Sequence, residues 1–314
     1  MPLLRRDPLT PPAQSAQATG VLQLEALGSP AARSRQARFR PGWLDGCSNH
    51  SCSSGWLHLW RKRAVPVFED GWTCSPECTA SRVLAAVTRE LAGMEVSRAG
   101  HRHRIPIGLL MLEHGWITPD QLRRALDAQK EAGTGRLGRW LVDGGASEES
   151  TIARALALQW SCPVLTLEGR VPVSVTSAMP RLFVDAFAAL PLRVTAGKTL
   201  YLGFEESLDP VLALAIQRMT GLRVVSGIVP ESRFHQAHAQ LLKEAFPSVE
   251  LIESASEAAA AHALARSIER ARPVAARLVR VHECLWLRMW LHPQIEPLPE
   301  CETVRDVVCL IGAL

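Results

Sequence analysis

The spacing of apolar residues changes character several times along this chain. Residues 1–40 are rich in Pro, Ala, Ser, Gln and Arg and hold no period, which predicts a mobile tail. Residues 55–61 alternate like a strand, and 65–68 form a second short strand. Over 75–91, Val83, Leu84, Val87 and Leu91 fall on one helical face, with Pro76 in the first turn. The helical period then runs through 101–160. From 163 to 247 short strands and helices interchange. Strands are predicted at 164–167, 189–194, 199–204 and 222–229, and helices at 180–186, 210–220 and 231–245. A polar linker starts at 248, followed by an Ala-rich helix over 255–272. Residues 279–291 are apolar at odd positions except Glu283, which predicts one long strand, although a helix also fits.

Composition bounds the class. A chain of 314 residues suggests about two domains. With 47% apolar and 21% charged residues, it is not a mostly disordered chain. The net charge of +4 is too small to imply nucleic acid by itself. Among 35 basic residues only Lys62, Lys130, Lys198 and Lys243 are Lys, a bias that reads as genome composition rather than function. No signal-peptide-like apolar run opens the chain, and no stretch is long enough for a membrane span, so the expected location is cytoplasmic.

Four of the eight cysteines fall between positions 47 and 78. Cys47, Cys52, Cys74 and Cys78 read C-x4-C, 21 intervening residues, then C-x3-C. Two close pairs separated by a hairpin-length insert suit a tetrahedral four-cysteine zinc site, with His50 as the spare ligand. A closed set of four ligands makes such a zinc structural, because catalytic zinc keeps an open position. The other reading is four reduced thiols packed in a core. The second pair enters a helix, so the unit over 41–92 resembles a zinc ribbon or treble clef. About 50 residues hold little core, and such a unit commonly needs a staple.

Residues 101–162 contain an internal repeat with an offset of 30. Pro106-Ile107-Gly108 aligns with Arg136-Leu137-Gly138, Gly115 with Gly145, Leu122 with Ile152, Leu126 with Leu156, and Gln129 with Gln159. Each copy predicts a short helix, a Gly-terminated turn and a second amphipathic helix. Thr118 is the expected N-cap in copy one, with Pro119 at the first helical position, and Ser147 in copy two. Glycines let backbone approach a ligand, Arg can bind phosphate or a guanine edge, and apolar residues can pack on base faces. The same Leu, Gly and Gln positions also fit core packing, turns and helix contacts.

This repeated R-L-G-x2-L-x3-G-x6-L-x3-L-x2-Q pattern resembles the N-terminal domain of the type II secretion ATPases (the GspE N-terminal domain) and their type IV pilus relatives. The resemblance covers about residues 104–247 and includes Thr220-Gly221-Leu222-Arg223-Val224 after a helix. It implies partners among secretion or pilus machinery proteins. Its MshEN variant binds cyclic di-GMP through two such motifs. The carried-over nucleotide-binding positions are Gly108, Gly115, Gln129, Arg136, Leu137, Gly138, Gly145 and Gln159. Copy one departs from the pattern: Pro106 stands where the family has Arg, and the spacer 130–135 is one residue longer than usual. Arg102 or Arg104 can reach the vacated position.

No catalytic constellation stands out, so a non-enzymatic protein is expected. Gly197-Lys198-Thr199 looks like part of a phosphate-binding loop, but the pattern needs Gly at position 192, which is Leu192, and the triplet falls in a predicted hairpin turn. The ATPase domain that follows this domain in the family is not expected in residues 248–314. The expected fold class is α+β, with a zinc-ribbon or treble-clef-like unit (41–92), a helical repeat subdomain (101–162), a small α/β subdomain (163–247) and a C-terminal helix-and-strand extension (254–314). The leading function is a regulatory or adaptor protein. The alternative is a nucleic-acid-binding protein using Arg61, Lys62 and Arg63 beside Trp56 and Trp60. Trp286 and Trp290 are expected to pack on the zinc unit.

Overall fold

The computed structural model describes residues 46–53, 65–69, 71–92, 104–167, 169–293 and 297–312. All of them belong to one compact unit. The predicted tail, the strand at 55–61 and the Arg61–Arg63 patch lie outside these residues, as does Arg102.

The cysteine unit contributes a two-residue hairpin, β1 (Val67–Phe68) and β2 (Gly71–Trp72), and one long helix, α1 (Pro76–Ala92). Ser75 starts α1: its Oγ accepts the Cys78 amide at 3.3 Å, and Pro76 follows where no amide is needed. The helix buries Val83, Ala86 and Val87.

The repeat folds as four helices, α2 (Ile107–Glu113), α3 (Pro119–Ala132), α4 (Leu137–Asp143) and α5 (Glu149–Trp160). Both short helices end identically. Gly115 and Gly145 adopt φ of 66° and 65°, a left-handed turn that glycine reaches without strain. The N-caps differ from expectation in copy two. Thr118 caps α3 in a capping box with Gln121, but the cap position of α5 is Glu148, the offset equivalent of Thr118, and its side chain caps nothing. Ser147 lies one residue outside, with a buried hydroxyl that has no partner.

Next come a 3-10 turn (Val173–Ala178), α6 (Arg181–Ala186) and a mixed three-stranded sheet. Its strands are β3 (Ala189–Thr195), β4 (Thr199–Phe204) and β5 (Arg223–Ile228), with α7 (Pro210–Thr220) between β4 and β5 and α8 (Glu231–Leu241) after β5. Gly221, at φ 72°, ends α7 as the sequence predicts. The expected strand at 164–167 reduces to a single bridge from Val164 to Ile228. Lys198 sits in the β3–β4 turn, so Gly197-Lys198-Thr199 joins two antiparallel strands.

The C-terminal region departs most from expectation. The supposed linker is a strand, β6 (Ser248–Ser254), and after α9 (Glu257–Ala271) the supposed single strand is a hairpin. β7 (Ala275–Val281) and β8 (Cys284–Trp290) pair antiparallel, and β9 (Val304–Ile311) inserts between β8 and β6. Glu283, the one polar break in the odd positions, belongs to the turn, where His282 takes φ 50°. A two-residue turn leaves the alternation of two strands nearly in phase, which is why they read as one.

The strand β8 is covered on both faces of this sheet, so it is apolar almost throughout. On one face Leu278, Leu285, Leu287 and Val307 pack against α1 and α9. On the other, Val279, Val281, Trp286 and Val308 join the core of the α/β unit. Trp286 meets Phe183 edge-on, with centroids 5.3 Å apart. Trp286 and Trp290 therefore face the α/β unit. The cysteine unit does meet the C-terminal sheet, but through the opposite face of β8 and through β1, whose Val67 amide donates to Pro273 O. Between the layers, Arg288 and Asp306 are wholly buried and paired at 2.7 and 2.8 Å. Arg288 also donates to Ser177 O, and Trp286 Nε1 donates to Asp306, so every strong donor in this pair is answered.

Candidate functional site

Two clusters carry candidate chemistry. In the first, the Sγ atoms of Cys47, Cys52, Cys74 and Cys78 all lie within 4.8 Å of one another. Cys52 to Cys74 is 3.5 Å and Cys74 to Cys78 is 3.6 Å. Four thiolates around zinc at ~2.3 Å sit roughly 3.8 Å apart in a tetrahedron, so the set fits that ion. Backbone builds the pocket. Cys78 lies in the first turn of α1, the Cys74 amide points at Cys47 Sγ at 3.4 Å, and Ser48 N and Oγ both bond Trp72 O. Gly71 is required there, because a Cβ would fall 2.4 Å from that of Ser48. Burial pushes the Cys47 thiol up, against the lowering pull of the Asn49 and Cys74 amides. His50 is exposed at the rim. Hairpin, helix and thiols together are compatible with a zinc-ribbon-like unit.

The second cluster is the repeat, whose two copies embrace. Gln129 donates to Gly135 O at 2.8 Å, and Gln159 donates to Ile105 O at 2.7 Å. Positions 105 and 135 are offset equivalents, so each motif Gln holds the residue just ahead of the other copy's first motif position. The relation is a pseudo-two-fold. The motif glycines lie inside it: a Cβ on Gly108 would meet Leu122 Cδ1 at 2.8 Å, and one on Gly138 would meet Ile152 Cγ2 at 2.9 Å. Gly115 and Gly145 form turns, and Leu137 packs in the shared core.

Arg136 behaves differently. It is 58% exposed and opens onto a cleft of about 120 Å³ between the repeat and the α/β unit. Nη1 meets Glu205 at 2.6 Å and Nε meets Glu206 at 2.7 Å. Arg139 bonds Glu231 at 3.2 Å, and Glu149 accepts from Ser232 N and Oγ. Burial, with help from Glu205 and Glu231, raises the Glu206 carboxyl, although Arg136 pulls the other way. Glu205, Glu231 and His235 also have ligand atoms within 4.8 Å of one another, but the two arginines already neutralise those carboxylates. In copy one, Arg104 does not fill the place of the missing Arg; its guanidinium stacks 3.2 Å over Trp160. Glu205, Glu206 and Glu231 have no signal in the sequence: they sit at element ends roughly 70–95 residues beyond Arg136.

Against known proteins, no family model matches this chain. Over 120 residues, 38% of its length, it is 32% identical to bacteriophage adsorption protein B of Escherichia coli (strain K12), of which this segment covers 16%. Over 145 residues it is 26% identical to the type IV pilus assembly ATPase PilB of Myxococcus xanthus, covering 46% of this chain and 25% of that protein. Over 137 residues it is 28% identical to PilB of Thermus thermophilus, covering 43% and 15%. Among solved structures, MshE with cdg matches 44% of this chain and 99% of its own, at 27% identity and a TM-score of 0.36. The N-terminal domain of XpsE matches 43% and 92%, at 22% identity and a TM-score of 0.31. The chain thus spans a quarter or less of the curated relatives it matches. Over a little under half its own length it is similar in sequence to the type IV pilus assembly ATPases, in line with the resemblance read from its repeated motif.

Proposed function

We propose that the chain is a non-enzymatic regulatory or adaptor protein of secretion or pilus-type machinery, acting in the cytoplasm, whose repeat senses cyclic di-GMP. The observation that carries the sensing reading is the contrast within the motif. Its turn glycines and its glutamines are taken up in turns and in bonds to backbone carbonyls, whereas the Arg136 guanidinium is directed outward into a cleft that Leu137, Gly138 and Leu156 also line. A guanidinium at a cleft can take a phosphate by two parallel hydrogen bonds. The adaptor role follows the sequence similarity to pilus assembly ATPases.

Calorimetry with cyclic di-GMP tests the sensor. Binding is expected in the parent and is expected to fall to background in Arg136→Ala. No heat with a folded parent sinks the reading.

The four cysteines are proposed to hold a structural zinc, which would fix the hairpin to the start of α1 and catalyse nothing. Elemental analysis should find one zinc per parent chain and a clear loss in Cys74→Ser. Equal zinc in both proteins refutes this ligand set. Among the described residues no helix is long and apolar enough to cross a membrane.

A further inference from the structure

We infer that Glu205 and Glu206 act as a built-in competitor for Arg136, so that a phosphate-bearing ligand binds the repeat only by displacing them and freeing this corner of the α/β unit. The inference rests on the reading of the repeat as an anion-binding module, and it concerns the regulation of that site.

Three observations on the page support it. First, the two carboxylates take the two edges of the guanidinium, Nη1 and Nε, that a phosphate would use. Second, the cleft is over-supplied with negative charge. Glu149, Glu205, Glu206 and Glu231 line it against Arg136 and Arg139. Glu205 and Glu231 both work to raise the half-buried Glu206 carboxyl, so the carboxylates repel one another as well as binding Arg136 and Arg139. Third, the contact is one edge of a junction whose other edge is apolar. Ala153 and Ala157 of α5 pack against Ile228, so the cleft side can open while the apolar side stays closed. A guanidinium with more than half its surface exposed keeps its ion pairs exchangeable with solvent and with solutes.

The test is the affinity of a carboxylate-free variant. Glu205→Gln/Glu206→Gln keeps the shape and removes both charges. If the pairs leave Arg136 free about a tenth of the time, the variant should bind cyclic di-GMP about tenfold more tightly than the parent. Adding Arg136→Ala to the pair should abolish the gain. Glu206→Gln alone, at the more exposed position, should move affinity in the same direction by less and serves if the double variant does not fold. Equal affinity of parent and variant overturns the inference while leaving the sensor reading intact. If no variant binds cyclic di-GMP, inorganic pyrophosphate separates the two ideas. The same order of affinities with pyrophosphate keeps the competitor and removes the cyclic di-GMP reading. No Arg136-dependent binding of either probe to the carboxylate-free protein overturns the competitor. Hydrogen exchange gives an independent check. Ligand should speed exchange around residues 204–206 and 229–232 in the parent, and unchanged exchange in a ligand-bound parent also counts against displacement.

Discussion

The two copies of the repeat have the same inside and different outsides. Inside, turn glycines, helix-contact glycines and reciprocal Gln bonds correspond pair by pair. Outside, α5 carries Ala153, Ala157 and Trp160 where α3 carries Arg123, Asp127 and Lys130. The α5 residues cover Ile228 of the α/β unit, while their α3 counterparts are exposed. The shared glycines and glutamines therefore fix the fold of each copy, and the residues that differ between the copies set what each one touches outside. The first position repeats this division: copy two presents Arg136 to the cleft, and copy one has Pro106 and an Arg104 stacked on Trp160.

The strongest way to break this comparison is to exchange outer residues. Ala157→Asp places copy one's carboxylate into the apolar contact with Ile228, where nothing answers it. An unpaired charge at a buried site should cost about 3 kcal/mol or more in urea denaturation. The reverse exchange, Asp127→Ala on the exposed face of α3, should stay within about 0.5 kcal/mol. Similar losses at both positions would mean that the two outer faces are not in fact different environments.

Much of this was legible beforehand, for physical reasons. The offset of 30 was visible because glycine is forced at a positive-φ turn and at a close helix contact, and those demands recur in each copy. The cysteine cluster was legible because short chelate loops have to be close in sequence. What stayed hidden depends on long-range pairing. β6 reads as a linker because it is an edge strand, with Glu250, Leu251 and Glu253 exposed, and only its pairing with β9 makes it a strand. The β7–β8 turn was masked by its in-phase alternation. Trp286 was visible as apolar, but which face of the sheet it joined depended on the α/β unit arriving with Phe183. The carboxylates on Arg136 were invisible for the same reason.

The glycines allow a finer contrast. A methyl on Gly138 meets Ile152 Cγ2, which is attached at a branched Cβ and turns only with χ1. A methyl on Gly108 meets the tips of Leu122 and Leu137, which can swing aside. Gly138→Ala should therefore cost about 2 kcal/mol and Gly108→Ala about 1 kcal/mol, by the cost of overpacking. The opposite order would show that Ile152 yields more easily than its branching implies. The glutamines should behave alike: Gln129→Met and Gln159→Met each remove one bond to a backbone carbonyl and should each cost about 1 kcal/mol. Clearly unequal losses would break the pseudo-two-fold as an energetic description.

The smallest expected effect lies at the caps, where the copies differ by one side chain. Thr118 accepts the Gln121 amide at 3.3 Å while Gln121 Oε1 accepts the Thr118 amide at 2.7 Å. Glu148 holds the equivalent place with extended backbone but leaves the first amides of α5 without a side-chain acceptor. Thr118→Ala should then cost about 1 kcal/mol, and Glu148→Ala only a few tenths. Glu148→Thr is the sharper experiment because it should stabilise. It gives up a carboxylate worth about 0.3 kcal/mol at a helix N-terminus and installs a cap worth about 1 kcal/mol, for a net gain of about 0.7 kcal/mol. That gain should appear as a higher urea midpoint with an unchanged slope. A loss would mean that the carboxylate of Glu148 contributes more to the start of α5 than its geometry indicates, and that copy two has its own way of beginning a helix.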